Sequence, residues 1–240
     1  GTANITVVDS TKAPLDSPAL VNPTINGIAQ SGYSGFKNHI INGGFDVWQR
    51  GTSFTGVNEY TADRWKVTYD NTVTTKQSDG GFSSLRVGRA NGETSLNGIS
   101  IAQPIETLTT NKLRGKTATV SFRAKKGSTL TDEVRLQIMS SVTIDSSLDT
   151  NNDLVSQTNL YLSVISIGTD YSLFTATFTI PSDANTIAIK IVRSVTGTAG
   201  TDEWFEISQV QLEEGSVATP FEQRPYGLEL SLCQRYYEVQ

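Results

Sequence analysis

From residue 84 to residue 212 the chain repeatedly alternates apolar and polar residues with a period of two. Successive side chains of a β-strand point to opposite faces, so this period specifies strands with one face buried. Thr117–Ala124 shows it most cleanly, with Ala118, Val120, Phe122 and Ala124 set against Thr119, Ser121 and Arg123. Val134–Ile144 repeats the pattern through Val134, Leu136, Ile138, Val142 and Ile144, and Ser172–Ile180 through Phe174, Ala176, Phe178 and Ile180. Further strands are expected at Ile40–Gln49, Arg64–Tyr69, Ser84–Val87, Gly98–Ile105, Leu160–Ile167, Thr186–Val195 and Trp204–Leu212. Gly, Asn, Asp or Pro bounds each of them, as turn residues should. No helical periodicity longer than two turns occurs between residues 36 and 220. About ten short strands at this spacing predict an all-β, two-sheet antiparallel jelly-roll β-sandwich. The polar run Asp145–Asn159 is expected to be an exposed loop at one end of it.

The two ends read differently. Residues 1–35 carry Pro14, Pro18 and Pro23, with short apolar pieces between turns. One chain cannot bury such isolated residues, but three chains wound together can, so the segment is expected to be an extended, trimerising stalk; a linker is the other reading. The sandwich is expected over 36–226. Pro220 and Pro225 hold the chain extended after the last strand. From Gly227 the spacing of Leu228, Leu230, Leu232 and Tyr236 predicts a short helix within 227–240, too short to be stable unless its apolar face packs on something.

Composition removes several function classes. The formal net charge is −5, and no basic run is longer than Lys125-Lys126, so nucleic acid is not an expected partner. No stretch of about 18 apolar residues is present, so membrane insertion is not expected. Cys233 is the single cysteine, which excludes an intrachain disulfide. His39 is the single histidine, and no nucleophile elbow, zinc-protease or phosphate-loop motif accompanies it. The many carboxylates leave a glycan hydrolase open, but Glu203 and Glu206 differ by three and should face opposite ways in a strand. The chain is therefore expected not to be an enzyme.

Two blocks carry a resemblance. The first is Asn38–Arg50, NHIINGGFDVWQR, followed by Tyr60-Thr61-Ala62-Asp63-Arg64-Trp65. The second is Glu203–Glu238, with Gln209-Val210-Gln211-Leu212-Glu213-Glu214-Gly215 and Thr219-Pro220-Phe221-Glu222 at its centre. Together they resemble the start and end of a β-sandwich domain in bacteriophage tail fibre proteins. The domain is also similar in outline to galactose-binding-like carbohydrate-binding modules. The resemblance implies a homotrimer in the virion, other phage tail proteins as partners, and host-cell attachment through a surface glycan. It leaves open a purely structural adaptor within the fibre. It also implies that the chain continues into a further domain after its Leu-Cys-Gln-Arg-Tyr-Tyr ending. Modules of the second kind hold a structural calcium between their first and last strands. Asp46, Glu206 and Glu213 are the nearest candidates here, without the paired Asp of those modules, so no cofactor is expected.

Sugars are held by aromatic faces and planar polar groups, because the C–H face of a pyranose packs on a ring while its hydroxyls need partners. The candidates are Trp48, Arg50, Tyr60, Trp65, Tyr69 and Trp204. Trp65 and Tyr69 alternate with Val67, which equally fits a core face, and Trp48 could pack against Phe221 and Pro225. Arg64 is expected to lock a loop by pairing with Asp63, Glu213 or Glu222.

Overall fold

The computed structural model describes residues 36–239, apart from Val57 and residues 69–71, together with two short strands nearer the start. Those strands, β1 (Thr24–Ile25) and β2 (Ile28–Ala29), form an antiparallel hairpin in a separate unit ending at Phe36. The remainder of the expected stalk lies outside the described residues. The unit from Lys37 onward is a jelly-roll β-sandwich of two six-stranded antiparallel sheets.

The first sheet runs β11 (Gln157–Ile165), β10 (Val134–Ser141), β13 (Thr186–Arg193), β8 (Ile99–Ile105), β5 (Lys66–Val67) and β4 (Glu59–Tyr60). The second runs β12 (Ser172–Thr179), β9 (Thr117–Lys126), β14 (Trp204–Glu214), β7 (Phe82–Arg89), β6 (Thr72–Asp79) and β3 (Ser53–Thr55). The inward residues of both sheets form one core, in which Val120, Phe122, Ile138, Ile189, Phe205 and Leu212 are fully buried. The single helical turn α1 (Thr107–Thr110) follows β8, and α2 (Tyr226–Gln234) closes the chain.

In β14 the inward set changes parity, from Phe205 and Ile207 to Val210 and Leu212. A bulge between Ser208 and Gln211, with Gln209 at φ 53°, adds the extra residue that makes this possible. The outward residues before the bulge are therefore Trp204, Glu206 and Ser208.

Ile40–Gln49 is not a strand. Asn42 and Phe45 have φ of 56° and 55°, which breaks the pleat. The segment still runs beside β14, on the side that β7 leaves free. His39 N donates to Leu212 O at 2.8 Å, and Val210 N to Gly43 O at 2.9 Å. A Cβ on Gly43 would lie 2.0 Å from Val210 O, so the backbones meet where only glycine fits. Between residues 64 and 69 the described strand is only Lys66–Val67.

Two further expectations fail for the same reason, that sequence alternation does not show what covers a surface. Val142 and Ile144 follow the end of β10 in a turn and are exposed. The 145–159 loop is not simply exposed, because Leu148 and Leu154 are buried with Ala102, Met139 and Ala188 on the outer face of the first sheet. Asp149, Asn152 and Asp153 of that loop bond to Lys66, Ser100 and Lys190. One sheet thus has its outer face partly roofed by its own chain.

Candidate functional site

The two blocks that carry the family resemblance meet each other. Asn38 uses both ends of its amide, donating to Val210 O at 3.1 Å and accepting from Leu212 N at 3.1 Å. Asn42 bridges Val47 and Asp63 with three hydrogen bonds, while its backbone N–H donates to Glu229 of α2. Arg224 reaches back to the carbonyls of Asn38 and Ile40 and pairs with Glu229 at 3.2 Å. Glu222 accepts from the backbone N–H groups of Lys37 and Asn38. These residues tie the start of the sandwich to its end. The helix at 226–234 accordingly docks on the sandwich through buried Glu229 and Cys233, rather than through a leucine face.

Four predicted ligand residues sit around this seam. Trp65 is 0% exposed and donates its indole N–H to Asn42 O, so it is core and presents no ring face to a ligand. Trp48 stacks on Phe54 and donates to Phe45 O, which replaces the expected packing on Phe221 and Pro225. Arg50, not Arg64, pairs with Asp63, at 2.8 Å. Arg64 instead donates to Pro104 O at 2.7 Å and lies 3.6 Å from the centre of the Tyr236 ring. Arg50 lies in the same way 3.5 Å from the centre of Tyr237. Arg50 and Tyr60 do come together, in a cavity of about 180 Å³ with Asp63, Arg64, Cys233 and the two tyrosines. Each guanidinium there is already stacked beneath an α2-side ring. Tyr69 lies outside the described residues.

The outer face of the second sheet is different. Its strand register places Thr75, Arg86, Glu206 and Lys125 in one row across β6, β7, β14 and β9. Tyr171 extends the row, one residue before β12, with its ring 4.5 Å from Lys125 Nζ. Glu206 is buried and ties the row together. It accepts from Ser84 Oγ at 2.6 Å, Tyr171 OH at 2.5 Å and Arg86 Nε at 2.9 Å. Burial and the bond to Glu206 push the Tyr171 phenol well above its ordinary value, so it stays a hydrogen-bond donor. Lys125 is held by Asp79 at 2.7 Å.

Trp204, the remaining predicted ligand residue, stands at the next position along β14. Its partner across the sheet is Gly88. A Cβ on Gly88 would come within 2.7 Å of Trp204 Cβ, so the glycine makes room for the tryptophan. Arg86 lies 3.7 Å from the centre of the Trp204 ring, and Asp202 accepts from its indole N–H at 2.5 Å. On the other side of the row a second cavity of about 180 Å³ is lined by Asp79, Phe82, Arg123, Tyr171, Ser208 and Gln209, among others. The face therefore presents half-buried Trp204, then a row of fixed planar polar groups, then a hollow with Tyr171 and exposed Phe82. Sequence reasoning found Trp204 and missed Tyr171, Arg86, Lys125 and Phe82. The available signal was that Arg123 and Lys125 lie on the strand face opposite Phe122 and Ala124.

Among the described residues no group of three His, Cys, Asp or Glu could hold a metal ion. Of the calcium candidates, Glu206 is bound as above, and Glu213 accepts from Thr219 N and Oγ1 and from Gln211. Asp46 lies beside Gly44 and has its backbone carbonyl on Lys76. Glu203 points to the core side of β14, where it meets Arg89 and Arg193, and Glu206 to the outside, so the two cannot flank one glycosidic bond.

No family model and no curated relative matches the sequence. Solved structures are similar in fold. A carbohydrate-binding module of the CBM4 type is 20% identical, over 72% of this chain and 98% of that one, at a TM-score of 0.46. The enzymatically active domain of tailspike protein 4 of bacteriophage CBA120 is 15% identical, over 74% of this chain and 21% of that one, at a TM-score of 0.45. A CBM61 module in complex with β-1,4-galactotriose is 13% identical, over 75% of this chain and 100% of that one, at a TM-score of 0.43. At these scores the likeness is one of sandwich architecture, and the reading of the site stands on its own geometry.

Proposed function

We propose that this chain is a glycan-binding, host-attachment domain of a bacteriophage tail fibre, and that it binds through the outer face of the second sheet. The observation that carries the binding reading is the row Arg86–Glu206–Lys125–Tyr171 beside Trp204. Its side chains are held in place by one another before any ligand arrives. A site ordered in advance binds without the entropy cost of fixing long side chains. Arg86 covers one face of the Trp204 indole, and the half-buried ring that remains, with fixed donors and acceptors around it, offers what a pyranose needs. The tail fibre assignment is supported by the sequence blocks at 38–65 and 203–238.

In the proposed virion the chain is a homotrimer joined through residues 1–35, and three weak sites on one head gain avidity without new contacts. Light scattering tests that part, since a species of about 26 kDa would deny it. For the binding part, the domain is mixed with whole host cells and their surface polysaccharide. Pull-down by the polysaccharide, and inhibition of phage adsorption by excess domain, are expected. Release of reducing ends over time would assign a hydrolase instead.

One observation favours a second reading, the structural adaptor. Asn38, Asn42, Asp63 and Arg224 of the resembling blocks close the sandwich, whereas Arg86, Lys125 and Tyr171 of the open face lie outside those blocks. The adaptor would co-purify with another tail protein and leave adsorption unaffected.

A further inference from the structure

We propose that the hollow beside Arg123 takes a carboxylate-bearing sugar, so that the glycan bound is an acidic one. This rests on the glycan-binding reading above and narrows it to a class. The inference comes from which charges on the face already have partners. Arg86 is paired with Glu206 at 2.9 Å, and Lys125 with Asp79 at 2.7 Å. Arg123, on the same face and exposed, has no carboxylate partner among the described residues. Its guanidinium carbon lies 5.8 Å from the centre of the Tyr171 ring, and it lines the cavity.

The rest of the cavity fits a sugar acid. Phe82 and Tyr171 offer ring surface to a C–H face, and Ser208 and Gln209 offer a hydroxyl and an amide to ring hydroxyls. Ser208 Oγ donates its own hydrogen to Ser83 O at 2.7 Å and keeps lone pairs for a ligand hydroxyl. A guanidinium matches a carboxylate with two parallel N–H···O bonds, which a neutral hydroxymethyl group cannot reproduce. Asp79 also lines the cavity, but Lys125 neutralises it, so Arg123 sets the sign of the local charge. The chain as a whole is acidic, at −5, so a polyanion gains nothing from general attraction and selection must come from this group.

The test uses the full chain and a panel of bacterial surface polysaccharides, each native and with its carboxyls reduced to primary alcohols. Native acidic members are expected to bind, and reduction is expected to weaken them about tenfold. Arg123→Gln should bring native and reduced affinities together, and Asp79→Asn should strengthen native binding. Arg135→Gln, on the other sheet and paired with Glu133, is the control and leaves the ratio as it is. Equal binding before and after reduction, or a ratio that ignores Arg123→Gln, overturns the acidic-sugar inference while glycan binding stands. Absence of binding to every member overturns glycan binding itself.

Discussion

Asn42→Gly is the substitution that most sharply separates a structural from a recognition role for the sequence blocks. The Asn42 side chain is wholly buried and makes three hydrogen bonds: to Val47 O at 2.8 Å, to Asp63 O at 3.0 Å and from Val47 N at 3.0 Å. Its φ is 56°, which glycine adopts without strain, so this replacement removes the bonds and leaves the backbone geometry alone. Each net bond contributes about 1 kcal/mol, and the partners left behind are buried, so the expected loss is about 3 kcal/mol. For a unit of this size that lowers the melting temperature by roughly 6–12 °C. Urea unfolding followed by tryptophan fluorescence, with linear extrapolation, measures it. Asn58→Gly, which removes a surface bond to Thr150 O, serves as the reference and should cost under about 0.5 kcal/mol. If Asn42→Gly costs no more than Asn58→Gly, the seam is not what holds the chain ends together, and the block serves another purpose.

Other outcomes follow from the buried charges. Glu203 lies between Arg89 and fully buried Arg193, so Glu203→Gln should cost about 3 kcal/mol in urea unfolding, because buried Arg89 then loses its carboxylate and Arg193 keeps Asp132 alone. Burial works to raise the Glu203 carboxyl, but bonds from Gly200 N, Arg193 and Arg89 outweigh it and hold it below its ordinary 4.5. A depressed carboxyl contributes stability above its unfolded value that is lost as pH falls through the folded one, so acid unfolding should be blunted in Glu203→Gln. His39 is held below its ordinary 6.5 by burial and by nearby Lys112 and Arg224. The unfolded chain therefore takes up a proton there first, and wild-type melting should drop as pH goes below 6.5, an effect that His39→Gln removes. Burial, with Asp63 and Glu229 nearby, pushes the Cys233 thiol up to about 12. Maleimide labelling of Cys233 should then be slow in the folded protein and should quicken in Glu229→Gln, which loosens α2; fast labelling of the wild type would deny that the helix is docked.

Much of the sandwich was legible because most of its strands are half-buried and alternate. β9, β12, β13 and β14 stand where the period of two placed them. β6 was missed because Thr72–Asp79 holds a single large aliphatic residue, Val73, and its pairing with β7 comes from the backbone. Ile40–Gln49 looked like a strand because its apolar residues are core, but Asn38 and Asn42 side chains supply the hydrogen bonds that a ladder would. The loop at 145–159 looked polar because much of what it places on the sheet is polar, Asn152 and Asp153 beside Leu148 and Leu154. The candidate face was legible only at Trp204. Phe82 and Arg86 come from β7, Lys125 from β9 and Tyr171 from just before β12, and register alone makes them neighbours.

The central claim is that the outer face of the second sheet binds glycan. The direct measurement is the affinity of the full chain for host surface polysaccharide, compared among the wild type, Trp204→Ala and Trp48→Ala, each checked for an unchanged melting temperature. The expected result is a loss of about tenfold or more for Trp204→Ala, from the missing ring face, and little change for Trp48→Ala, whose ring stacks on Phe54. Full binding by a folded Trp204→Ala protein, or a loss confined to Trp48→Ala, would contradict it.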